Sequence, residues 1–493
     1  MSISAVVRDL DTTVSSVQST IALEALVSAA FILIGGKIGD LFGRKRAYVL
    51  GLLGYAVGGV AMTVAQSLTA IVVFWAITGG LGAALLLPAM QSLIHGNFEG
   101  ANQKRVYALV GASAAIAAAV GPLLGGFITT FLSWRVGFAL EAVIIAIVLS
   151  GIRLVRNVPY TGPRHVDGVG SLLSVLGMGG IVLCILVWLE GGERVLALLV
   201  IGVVAMGALV WWLRRRKRTG RPMLLDPALF SSKYFRLGVS GQLLQQIALG
   251  GTMIVLPLYL QMVLEYNALQ AGLSIAPLSL SMFAVAIWAG RRAKGRPANL
   301  ILLGFSLAAV GLIAIVPLVP VADTGWWLTI PLIIAGSGLG LLVSQLNNYT
   351  LSPISDERVS EAAGVNSAAG SFGLSFGLAF AGAIMLATLA ASFTSLAYSS
   401  TVLTSEQQTQ VATVLEEDAE LMSNTGLEQL LADEPPEASA EVIRINTEAR
   451  HIALQVALLI PILAAVLGVL NGFRMRRLPD PKANEAVEGM LGG

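Results

Sequence analysis

Charged side chains are scarce in this chain. Asp, Glu, Lys and Arg make up 12% of its 493 residues, where soluble proteins carry about 25%. That shortage excludes a string of water-soluble domains. There is one cysteine, Cys184, inside an apolar run, so no intramolecular disulfide forms. The three histidines, His95, His165 and His451, are scattered without metal-ligand spacing. No stretch resembles a nucleotide loop or a catalytic triad, so neither ATP hydrolysis nor enzyme chemistry is read here. The N-terminus lacks the charged-then-apolar order of a signal peptide.

What the chain has instead is apolar length. Its hydrophobic content is 56% and its mean hydropathy +0.80, the signature of a polytopic all-α membrane protein. Thirteen apolar runs are long enough to span. They cover about 14–38, 47–66, 69–94, 105–131, 135–155, 168–190, 195–213, 236–263, 268–290, 298–320, 326–347, 361–392 and 451–473. Alternating them across a bilayer puts 26 of the 31 Lys and Arg on one side. Only Arg8, Arg135, Arg194, Arg444 and Arg450 fall on the other. This is the positive-inside bias, and one miscounted span would scramble it. The strongest charge run, Arg214-Arg215-Arg216-Lys217-Arg218, lies inside by this alternation. The acidic stretch 393–450, with 11 acids against two arginines, lies outside and reads as a solvated loop with one or two short helices, or as a lid.

The connection Gly36-Lys37-Ile38-Gly39-Asp40-Leu41-Phe42-Gly43-Arg44-Lys45-Arg46 is the most patterned stretch. Glycine permits a sharp reversal. Asp40 suits amide capping or an arginine pair, and the basic cluster marks the cytoplasmic side. The pattern resembles the signature loop between helices 2 and 3 of the major facilitator superfamily. Further stretches are similar to its fourteen-helix drug:proton antiporter group. These are Val120-Gly121-Pro122-Leu123-Leu124-Gly125-Gly126, like the antiporter motif, followed by Ser133-Trp134-Arg135, and Leu256-Pro257-Leu258-Tyr259-Leu260-Gln261 with Ala271-Gly272. The loop Gly290-Arg291-Arg292-Ala293-Lys294-Gly295-Arg296 falls where a second copy of the first signature belongs, without its acid.

The resemblance implies two six-helix bundles with an inserted central pair and a first helix ahead of residue 14. Residues 1–13 cannot span, so the first helix is absent from the chain as given. A start site assigned too late is favoured over a real loss. The expected organisation is an N-terminal bundle 1–155, a central pair with basic link 156–235, a C-terminal bundle 236–392, an acidic outer loop 393–450, and a last helix with tail 451–493. The expected activity is export of small amphipathic compounds or drugs by proton antiport, with the 36–46 loop stabilising one state. Two alternatives stay open: metabolite uptake or exchange by the same fold, and a membrane sensor that has lost transport. Expected partners are the lipid bilayer, protons and a small-molecule substrate, with no nucleic acid, cofactor or metal, and the chain is taken as a monomer in the plasma membrane.

Intramembrane acids are costly and mark function. Glu24 and Glu141 are therefore the foremost candidates for carrying a proton or binding a cation. Desolvation favours the protonated form of a carboxyl group. Gln91, Gln245, Gln246, Asn347 and Asn366 are candidate pathway polar groups, and Tyr259 could stack on a substrate or pack in the core. Small residues let helices approach, so Gly121, Gly125 and Gly126 around the bend at Pro122 suggest a moving seam. Gly370, Gly373 and Gly377 would supply its counterpart. Relatives carry an arginine in helix 4 where this chain has Ala76, which leaves Glu24 or Glu141 to take over that role.

Overall fold

A computed structural model describes residues 3–98, 124–157, 167–189, 195–221, 223–292, 296–351, 358–409 and 435–479, with isolated positions between them. All its regular structure among these residues is helical. A short helix α1 (Ile3–Leu10) precedes α2 (Val14–Phe42) and α3 (Arg44–Thr63). Helix α4 (68–97) contains a π-helical stretch, Val72–Gly79. A helical stretch α5 (124–131) leads to α6 (Trp134–Ser150). Then come α7 (Gly168–Leu189), α8 (Val195–Arg218) and α9 (Lys233–Leu258), the last prolonged by a π turn, Tyr259–Val263. The chain continues through α10 (Ala268–Arg292), α11 (Pro297–Ile315), α12 (Thr329–Leu351), α13 (Val359–Ser399) and α14 (Pro436–Arg476). Eleven of these helical stretches are long and apolar enough to cross a bilayer.

Three boundaries differ from the sequence expectation. The turn placed over 39–46 shrinks to one residue: α2 ends at Phe42, α3 begins at Arg44, and Gly43 alone makes the reversal at φ 105° and ψ 129°. A side chain would strain that backbone. At the other end, α13 runs on to Ser399 and α14 starts at Pro436, so both edges of the acidic stretch are helical. At about 1.5 Å per residue, α14 outreaches the ~30 Å hydrocarbon core by a wide margin. Its first turns stand above the bilayer, tied by Ser400 Oγ donating to Glu441 Oε1 at 2.7 Å.

Two bundles and a pair follow from the packing. Helix α4 packs on α2 and α3, and α6 on α3. Helices α9 and α11–α14 interlock, with α10 on α12. The pair α7–α8 packs on itself and touches both α2 and α13. Glycines permit the close crossings. A Cβ on Gly80 of α4 would lie 2.8 Å from the Glu24 carbonyl oxygen, and one on Gly377 of α13 only 2.5 Å from that of Ile247 on α9.

The bundles meet along α2 and α13. Ala22 and Leu26 pack with Ala379 and Ala383, and Ser375 Oγ donates to the Ala22 carbonyl at 2.8 Å. A second contact joins α5 to α10: Leu269 N–H donates to Thr130 Oγ1 at 3.1 Å.

Candidate functional site

The acids singled out from the sequence sit together within the N-terminal bundle. Tyr55 of α3 donates its hydroxyl to Glu24 Oε1 of α2 at 2.9 Å. Glu141 of α6 is close enough to act on both electrostatically. All three side chains are half-buried. No ion pair to either acid is found among the described residues. Counting back from the ends of their helices at about 1.5 Å per residue, the three groups lie at similar depth in the outer half of the membrane. Tyr55 was not singled out by sequence reasoning. Nothing but its place in the middle of an apolar run marked it.

Helix α2 carries two jobs on two faces. Glu24 points to α3, while Ala22 and Leu26, two residues to either side, face α13. Residues i and i+2 lie about 200° apart on a helix. The acid and the bundle–bundle contact are therefore back to back on one rod.

The polar amides divide. Gln91 of α4 donates through Nε2 to Ser367 Oγ of α13 at 3.2 Å, across the seam. The neighbouring Asn366 donates through Nδ2 to Asn347 Oδ1 of α12 at 2.7 Å. One turn further, Gln242 and Gln246 of α9 lie against Gly370. Four of the proposed pathway groups, Gln91, Gln246, Asn347 and Asn366, thus belong to one amide-lined region. Asn366 Oδ1 and Gln246 Oε1 are buried there and accept no hydrogen bond from the described residues. Gln245 is buried in the helical packing of α9. Tyr259 is elsewhere: fully buried at the far end of α9, its hydroxyl lies 3.2 and 3.3 Å from the carbonyls of Val319 and Ala322.

The glycine motifs also divide. Gly126 presses on α10, where a Cβ would come within 2.4 Å of the Ala268 carbonyl oxygen. Gly125 is half-buried, and Gly121 is exposed with open space beside it. Pro122 lies outside the described residues. Gly373 and Gly377, expected from the sequence to supply a seam between bundles, do not. They pack on Leu243 and Ile247 of α9 in their own bundle. The reason is periodicity: 370, 373 and 377 form one stripe of α13, and 375, 379 and 383 another, which faces α2.

In the signature stretch, Gly36 and Gly39 lie against Pro88 and Ala47, and Lys45 donates to the Val155 carbonyl at 2.6 Å. Gly43 is the hinge, Arg44 starts α3, and Arg46 is exposed. The side chain of Asp40 lies outside the described residues. Lys37 acts electrostatically on Glu361 of α13. Glu361 in turn accepts from the Asp226 backbone N–H. Asp226 pairs with Lys217 and Arg358, each at 3.2 Å. Burial pushes its carboxyl up, but the Ala228 N–H, Lys217 and Arg358 outweigh this and hold it below the usual value. This cytoplasmic knot joins both bundles to the end of the central pair.

This geometry defines the class: a multi-pass helical membrane protein of two bundles meeting on a seam, with buried polar groups beside it. The family model for the Major Facilitator Superfamily matches residues 1–378, and the chain belongs to that family. It is a transporter of the plasma membrane and not an enzyme. The puromycin resistance protein pur8 of Streptomyces alboniger is 30% identical over 375 residues, covering 73% of each chain. The multidrug export protein EmrB of Escherichia coli K12 is 27% identical over 366 residues, 71% of this chain and 70% of the relative. Among solved structures, the proton:xylose symporter XylE superposes with a TM-score of 0.58 over 99% of this chain and 94% of the other. At 14% identity that likeness shows the fold alone.

Proposed function

We propose that this transporter exports small amphipathic compounds, drugs among them, in exchange for protons, by alternating access between its two bundles. The observation that carries the reading is the two-faced helix α2. Glu24 bonds Tyr55 on one face while Ala22 and Leu26 meet α13 on the other. Gain or loss of a proton at Glu24 changes its bond to Tyr55 and the repulsion from Glu141. Helix α2 passes that change to the seam, because the same rod makes both contacts. Glu141 is the neighbour that feels the charge of Glu24.

The substrate class rests on the relatives and on the amides. Puromycin and mixed drugs appear in the names of similar proteins. The four side chains Gln91, Gln246, Asn347 and Asn366 are uncharged, and two buried acceptors there have no donor among the described residues. Buried polar atoms without partners are costly. A substrate bearing an N–H or O–H group relieves that cost, and its apolar body suits the surrounding helices.

The test is substrate-evoked proton movement in proteoliposomes, followed with a trapped pH dye across a panel of amphipathic amines. Wild type should release protons when substrate is added, and Glu24→Gln should not. Flux indifferent to the proton gradient, or an unchanged Glu24→Gln variant, would remove the antiport reading.

A further inference from the structure

The cationic run at the end of α8 does not behave as one solvated cluster. At about 100° per residue, a helix distributes five consecutive side chains around its whole circumference. Arg216 is half-buried and Lys217 stays exposed, but both are taken by carboxylates. Arg216 pairs with Asp167 at 3.7 Å and covers the Trp212 ring at 5.2 Å. Asp167 is sealed beneath it, accepting from Gly170 N–H and Trp212 Nε1–H, both at 3.0 Å. Lys217 is taken by Asp226. Arg216 continues the buried stripe Gly202, Ala205, Leu209 and Leu213.

The other three face outward together. Trp211, Arg214, Arg215 and Arg218 share an arc of about 100°. Arg214, Arg215 and Arg218 are exposed, and no carboxylate pairs with them among the described residues. Trp211 is 58% exposed, with the Arg215 guanidinium 5.4 Å from its ring centre. Traced back along α8, the same arc holds Leu196, Val200, Val203 and Val204, all exposed. In a membrane helix such a stripe faces acyl chains. It ends in one aromatic and three guanidinium groups without a carboxylate partner among the described residues, at the cytoplasmic boundary where tryptophan settles at headgroup level.

We propose that this outward face is a docking site for anionic phospholipid headgroups of the cytoplasmic leaflet. Charge complementarity names the occupant, and continuity with the acyl-facing stripe selects a lipid over a free anion. Arginine offers forked donors to a phosphate, which a lipid can accept while its chains lie along the valines. Clustered basic residues just cytoplasmic of a membrane helix draw anionic lipid. The Asp167 lock fixes the rotation of α8 and so keeps the three guanidinium groups turned to the bilayer.

The full-length protein is placed in nanodiscs of phosphatidylcholine alone, or with about a quarter phosphatidylglycerol. Lipid retained on release is read by native mass spectrometry, and the unfolding midpoint is measured in parallel. Wild type should retain phosphatidylglycerol with about tenfold preference and unfold later in its presence. The triple variant R214Q/R215Q/R218Q should lose most of the preference. R153Q/R156Q/R236Q, which removes as many exposed cytoplasmic cations elsewhere, should keep it. Inorganic phosphate added to phosphatidylcholine discs should not reproduce the shift. Should the triple variant fold poorly, R214Q/R218Q serves, with an expected intermediate loss. An unchanged preference in the α8 variant, an equal loss in both triples, or an equal shift with phosphate overturns the proposal.

Discussion

The two bundles hold different polar groups in their membrane interiors. The bundle α2–α6 carries carboxylates, Glu24 and Glu141, beside Tyr55. The bundle α9–α14 carries amides, Gln245, Gln246, Asn347 and Asn366, and no acid among its described residues lies as deep. Single helices differ in packing too: the apolar window of α9 is 67% buried, against 6% for α6, while α2, α13 and α14 are alike at 44%. The α2–α6 half carries the two acids, and the α9–α14 half buries a cation, Arg450. A titrating group needs room and water to gain and lose a proton, while a recognition surface gains from being held still. Under the proposed antiport the difference becomes a division of labour, in which α2–α6 answers to protons and α9–α14 holds the substrate side of the seam.

The largest effect should come from the acids. Glu24→Gln is expected to reduce proton-coupled export to background, and Glu141→Gln to weaken it while shifting its pH optimum, both read by dye flux in proteoliposomes. Placing an acid in the other half, Gln246→Glu, should not rescue Glu24→Gln; a rescue would break the comparison. Next come the crossings. Gly377→Val and Gly126→Val press a side chain onto a backbone carbonyl and should each lower stability by about 1–3 kcal/mol. Gly121→Ala, with open space around it, should change the unfolding midpoint little. Asn366→Leu should raise the apparent KM for an amine substrate about five- to tenfold and leave the proton count per substrate intact.

The smallest effect concerns the cytoplasmic knot. The Asp226 carboxyl titrates below its unfolded value of about 3.9, so its stabilisation is complete above that pH and fades as the pH falls through the lowered value. Asp226→Asn should therefore cost about 1 kcal/mol at neutral pH, the range of a partly solvated ion pair, and nothing in strong acid. Thermal unfolding at stepped pH checks it, and a difference that grows toward acid would contradict the sign.

Most of the span pattern was legible in sequence because membrane length is a local rule: eleven of the thirteen expected runs are long apolar helices among the described residues. The pairing of Glu24 with Glu141 was half legible: each acid stood out, but their common pocket needs three helices, and Tyr55 had no local mark. Which glycine stripe faces which helix was not legible in α13, where small residues occupy several faces at once. The end of α8 was read as one charge run, because a run in the alphabet hides the rotation that gives Arg216 and Lys217 to carboxylates and turns the other three outward.

Gly43 has a mechanical corollary. Because one residue links α2 to α3, and Lys45 fastens the start of α3 to the Val155 carbonyl, this corner has no slack. Under the proposed alternating access, a swing of α2 at the seam drags its neighbours along and the bundle turns as a lever. Lengthening that corner by a few flexible residues should then let the lever slip, so that proton exchange at Glu24 is kept while coupled export is lost.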